Sequence, residues 1–181
     1  LPAGRILLQG EGAIAAVRFD DIIVQKAEPL STHFDSPDIP SVWKTSDARL
    51  ASLQREDNGN QYLQLKDAVA AAPDMRPITD LNLSYRVNIR QGGYQVHVRE
   101  SVQGSVLLDM VGGIMTVSQL DHGGNVIQTW PGIQFYNRNR WEQVGIQFIG
   151  SRLQISRDGV LKFDELLQSP PPTGGVDFKT R

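Results

Sequence analysis

Ten consecutive residues, Leu81-Asn82-Leu83-Ser84-Tyr85-Arg86-Val87-Asn88-Ile89-Arg90, alternate apolar and polar without a break. Side chains alternate across a β-strand, so this segment has one apolar face that must be buried and one polar face that meets water. Tyr94-Gln95-Val96-His97-Val98-Arg99 repeats the pattern after Gly92-Gly93, and the two segments read as a hairpin turning on the glycines. Further strands are predicted over 106–110, 114–119, 126–130, 141–149 and 153–156, with earlier ones over 48–55 and 62–65. Glu56-Asp57-Asn58-Gly59-Asn60 and Asp121-His122-Gly123-Gly124-Asn125 are turns, and Asp158-Gly159 is a strong hairpin signal. Residues 68–72 could make one helical turn before Pro73 and Pro77, and residues 164–167 another before Pro170. Many short strands at regular spacing predict an all-β fold, an antiparallel two-sheet β-sandwich.

At 181 residues the chain fits one domain, long enough for a two-layer core. Eighteen Lys and Arg stand against twenty Asp and Glu, and the arginines are scattered, so no basic footprint for nucleic acid exists. Without Cys there are no disulfides, thiolate metal sites or cysteine nucleophiles. No apolar run approaches the roughly 18 residues of a membrane span. The chain begins at Leu1, as a processed product or excised fragment would.

Two stretches resemble each other. Pro2-Ala3-Gly4 leads into Arg5–Gln9, and Pro172-Thr173-Gly174 leads into Gly175–Lys179. The tail from Asn125 has a Trp opening a strand, a strand-turn-strand through Arg157-Asp158-Gly159, a Pro/Gly-rich stretch and then Gly175-Val176-Asp177-Phe178. In this it resembles concanavalin-like and laminin-G-like jelly-roll modules of bacterial exported proteins, including carbohydrate-binding modules. Such modules close with a strand like Val17-Arg18-Phe19-Asp20-Asp21-Ile22-Ile23-Val24, which here stands near the front. Thr32–Asp38 and Trp43 look like the opening of a fresh module. The resemblance implies that residues 1–25 are closing strands, 26–30 a linker and 31–181 the main module. The front strands would close their own sandwich, a neighbouring protomer's, or belong to a preceding module of a tandem array, in the manner of a permuted or excised repeat. It also implies a secreted or cell-surface location.

Three kinds of chemistry follow. Asp20, Asp21, Asp35 and Asp38 are hard oxygen donors suited to Ca²⁺. The resemblance places Asp21 and Asp35 where a structural calcium joins the opening segment to the closing strand. Their other reading is as solvated turn residues. Sugar binding needs an aromatic platform beside planar polar groups. Trp130, before Pro131-Gly132, is the aromatic expected to be exposed, with Tyr136 nearby, while Trp141, opening a strand, is expected in the core. The polar faces around Gly92-Gly93 add Arg86, Asn88, Arg90, Gln95, His97 and Arg99, with Tyr94 at the turn as a further ligand-binding candidate, and those faces also read as the plain wet side of an antiparallel sheet. Catalysis has least support. No strand carries the Glu-x-Asp-x-x-Glu of concanavalin-like glycosidases, and His33, His97 and His122 are scattered with no Gly-x-Ser-x-Gly. The expectation is a non-catalytic module binding a polysaccharide or glycan. A structural or adhesive module self-associating through its N-terminal strand comes second, and a glycosidase-like enzyme third.

Overall fold

The computed structural model describes residues 4–10, 16–25, 30–32, 44–45, 51–66, 70–75 and 77–180. The described strands are β1 (Gly4–Gly10), β2 (Ala16–Gln25), β3 (Leu30–Thr32), β4 (Lys44–Thr45), β5 (Ala51–Arg55), β6 (Gln61–Lys66), β7 (Ala70–Met75) and β8 (Leu81–Gln91). They continue with β9 (Gly93–Ser101), β10 (Gly104–Val111), β11 (Ile114–Leu120), β12 (Val126–Gln134), β13 (Trp141–Ile149), β14 (Arg152–Arg157), β15 (Val160–Leu166) and β16 (Gly175–Thr180). No helix occurs among the described residues.

The strands form two sheets. The first runs β12-β11-β10-β9-β16-β1-β7-β4, and the second runs β15-β14-β13-β8-β2-β6-β5 with β3 on β2. The protein is an all-β sandwich. Its inner faces are the apolar rows of the alternating segments: Leu81, Leu83, Tyr85, Val87 and Ile89 from β8 meet Tyr94, Val96 and Val98 from β9 and Phe178 from β16. Tyr85 stands edge-on to Tyr94 (6.3 Å) and to Phe178 (5.0 Å), and the two tyrosine hydroxyls share a 3.1 Å hydrogen bond. Ring pairs of this kind add roughly 0.5–1.5 kcal/mol each beyond their burial.

The expected hairpin of β8 and β9 does not form. β8 pairs with β13 and β2, and β9 pairs with β10 and β16. Gln91-Gly92-Gly93 is an arch that carries the chain from one sheet to the other. A Cβ on Gly93 would lie 2.0 Å from the Met110 carbonyl oxygen, so only glycine lets the arch pass. The two predicted helical turns are also strands. Residues 70–75 form β7, and residues 164–166 end β15, because a neighbouring strand satisfies their backbone groups. Pro73 is tolerated because the β1–β7 register shifts there, between the pairs Gly4–Met75 and Ile6–Ala72.

The front strands pair inside the chain's own sheets, and neither is an edge: β1 lies between β16 and β7, β2 between β8 and β6. The β1–β16 pair is parallel, a departure from a wholly antiparallel fold, with Leu8 opposite Phe178 and Gly10 opposite Thr180. Its offset of 170 residues (178 − 8) is also that of the two similar Pro-x-Gly segments.

Candidate functional site

The outer face of the second sheet is built by parity. In β13, Val144, Ile146 and Phe148 are buried, so Trp141, Gln143, Gly145 and Gln147 point outward. In β8, Asn82, Ser84, Arg86, Asn88 and Arg90 do the same. Register places Trp141 opposite Asn88, Gln143 opposite Arg86 and Gln147 opposite Asn82. On the far side of β13, Gln147 faces Gln154 and Gly145 faces Ser156.

Trp141 is therefore not in the core. Its ring lies half-buried on the outer face and is fixed from three directions. Its Nε1–H donates to Glu56 Oε1 at 2.7 Å, Tyr62 meets it edge-on at 5.7 Å, and the Arg86 guanidinium sits 5.1 Å from its centroid. Glu56 is the first residue of the β5–β6 turn, which is closed by Glu56 N–H to Asn60 O and Gly59 N–H to Glu56 O. Gln143 donates its side-chain amide to Ser84 Oγ and its backbone N–H to Asp158 Oδ1. Asn88 is 6 % exposed, and its buried Oδ1 has no hydrogen-bond partner among the described residues. Further along the face, Arg152 grips Asp164 through two 2.7 Å bonds and Gln154 adds a third at 3.0 Å, which together hold the Asp164 carboxyl down at about 2. Beside Trp141, an open cleft of ≈ 440 Å³ is lined by Arg55, Glu56, Asp57, Asn58, Tyr62 and Arg90.

Of the ligand-binding residues singled out from the sequence, Arg86, Asn88 and Arg90 belong to this face, and the others lie elsewhere. Tyr94 is 1 % exposed in the core, and Tyr136 is equally enclosed, so neither presents a surface to a ligand. Trp130 is half-buried, not an open platform. It stands edge-on to Phe163 at 5.9 Å, sealing the side of the sandwich where β12 and β15 end the two sheets. His97 is on the outer face of the first sheet, nearly enclosed, with Nδ1 3.2 Å from Ser105 Oγ and 3.3 Å from the Glu100 carboxylate.

Arg99 departs from the alternation altogether. Its φ is +53° and the ladders on both sides of β9 shift register beside it, a bulge that turns the side chain inward. The guanidinium lies 3.7 Å from the Phe148 ring centroid and donates to the carbonyls of Gly150, Pro171 and Phe148. Burial pulls its pKa down, and the carboxylate of Asp80, 3.8 Å away, pulls it back up. Arg99 is an internal strut.

Asp20 and Asp21 lie on β2, where its register against β8 shifts between Asp20 and Ile23. Asp35 and Asp38 lie outside the described residues, and those residues contain no group of three or more potential metal ligands.

Sequence reasoning missed Trp141, Tyr62 and Glu56. Parity was the available signal for Trp141, which is in step with Gln143, Gly145 and Gln147 and out of step with Val144. Glu142, in step with the core residues, is buried and accepts from the Asn137 backbone and side-chain N–H groups.

Among the described residues no helix is long and apolar enough to cross a membrane. No protein-family model matches the chain, and no curated protein does. Among solved structures the chain is similar to the carbohydrate binding module CBM66 from Bacillus subtilis, at 13% identity and a TM-score of 0.41 over 77% of this chain and 96% of that one. A likeness of that degree carries no argument about function.

Proposed function

We propose that the protein is a non-catalytic, secreted or cell-surface module that binds carbohydrate on the outer face of its second sheet. The observation that carries this reading is the Trp141 indole, braced by Glu56, Tyr62 and Arg86 in a row of planar polar side chains. A sugar ring has an apolar C–H face that stacks on an aromatic plane and a rim of hydroxyls that both donate and accept. Asn82, Asn88, Gln143, Gln147 and Gln154 each carry an amide with both functions, flanked by Ser84 and Ser156. The braced ring loses little conformational freedom when it engages a ligand, which favours affinity.

The test is native affinity electrophoresis through gels holding hydroxyethylcellulose, mixed-linkage β-glucan, xylan, galactomannan, inulin or polygalacturonate. At least one polymer is expected to retard the protein, and Trp141→Ala to lose that retardation while keeping a cooperative melt. Free migration through all six gels overturns the reading. A structural Ca²⁺ held by Asp20, Asp21, Asp35 and Asp38 is a separate proposal, read as a rise in Tm with calcium over EDTA. Self-association through the N-terminal strand is another, read as a dimer mass in solution.

A further inference from the structure

We infer that the β5–β6 turn forms a second sugar subsite continuous with the Trp141 platform, so that the face takes a saccharide chain of several units. This rests on the carbohydrate reading of the same face.

The continuity lies in shared residues and in geometry. Glu56 accepts from the Trp141 indole with Oε1 and also lines the cleft. Tyr62 touches the indole edge-on and also lines the cleft. Arg90, a third wall, follows Asn88 on the outward row of β8, and same-face neighbours on a strand are about 7 Å apart. The ring and the cleft are thus adjacent stations along one surface. At ≈ 440 Å³ the cleft falls in the range of small-molecule sites.

The cleft is also preformed. Glu56 Oε2 faces the Asn58 side-chain amide at 3.5 Å, Asn58 Oδ1 takes the Asn60 N–H at 2.9 Å, and Gly59 with φ +88° completes the reversal. Its lining carries guanidinium donors, carboxylate acceptors and an amide, a set suited to hydroxyls that donate and accept. Arg90 is exposed and has no hydrogen bond or ion pair among the described residues, leaving its planar fork available to a ligand.

The experiment is calorimetric titration of the full chain with oligosaccharides of one to six units, cut from the polymer that retards it most in the six-gel panel. Affinity is expected to climb at least tenfold between one and four units. Arg90→Ala and Asp57→Ala, both at exposed positions, are expected to flatten that climb while leaving single-unit affinity within twofold and the melting temperature unchanged. Equal affinity for one unit and six, or a climb that survives both variants, overturns the subsite and leaves the platform standing. If no polymer in the panel retards the protein, platform and subsite fall together.

Discussion

β8 and β9 are written in the same alternating pattern, eleven and nine residues long, on either side of Gly92. Both bury their apolar rows, and those rows touch through Tyr85 and Tyr94. Their polar rows face opposite sides of the molecule and differ in what they meet. On β9, Gln95 is bonded to Asp109 and His97 lies against Ser105 and Glu100, all within one sheet, while Arg99 turns inside. On β8, the row runs beside the Trp141 ring, which stands opposite Asn88. The lesson is that alternation separates inside from outside but does not say which outside a residue joins. A polar strand face becomes a binding surface through what the next strand places beside it.

The comparison can be broken first at its arginines, where the largest effect is expected. Arg99→Ala leaves three carbonyls without their donor and should cost about 3 kcal/mol in urea unfolding, with polysaccharide retention per folded molecule unchanged. Arg86→Ala should do the reverse, weakening retention while changing stability by about 0.5 kcal/mol or less. If both variants lose stability and neither loses retention, the two faces are equivalent and the distinction collapses.

The arch between the strands comes next. Gly93→Ala drives a Cβ into the Met110 carbonyl and should destabilise by roughly 2 kcal/mol or more. Gly112→Ala, where φ is +63° but space is open, should cost about 1 kcal/mol. Equal melting temperatures for the two variants would mean that close approach does not constrain the crossing.

Aromatic and imidazole substitutions sharpen the functional contrast. Trp141→Ala should lower polysaccharide affinity at least tenfold, about 1.4 kcal/mol. His97→Ala, on the other outer face, should change it less than about twofold. Retardation in affinity gels measures both.

The smallest effect belongs to the surface cluster at the far end of the second sheet. Arg152 first, then Gln154, holds the Asp164 carboxyl at about 2 against an ordinary 3.8. Because the folded pKa is depressed, the stabilisation is present above pH 3.8 and is lost as pH falls through about 2. Melting curves between pH 4 and 2 should therefore fall less steeply for Asp164→Asn than for the parent.

Much of the fold was legible residue by residue. Period-two runs marked nearly all the strands from Leu81 onward, and Asp158-Gly159 marked the β14–β15 hairpin, where both residues adopt positive φ. The misses came where a local signal had two outcomes. Gly92-Gly93 permits a hairpin or an arch, and Ala70–Met75 lacks any alternation to identify a strand. The aromatic ranking of the site was inverted. A Trp before Pro-Gly reads as exposed and a Trp opening a strand reads as core, yet Trp130 seals the sandwich's side and Trp141 lies on its face.

The chain by itself determined which side chains point inward. Strand geometry enforces that rule wherever the ladder is regular, for Glu142 as firmly as for Val144, and it gives way at the Arg99 bulge. It also held the 170-residue echo that became the parallel register of β1 and β16. Only the tertiary structure decided that β8 and β9 lie in different sheets, and that Trp141 meets a glutamate 85 residues away. Those outcomes depend on which distant strands pair. Pairing is settled by burial and backbone hydrogen bonding summed over the whole chain, which no local pattern encodes.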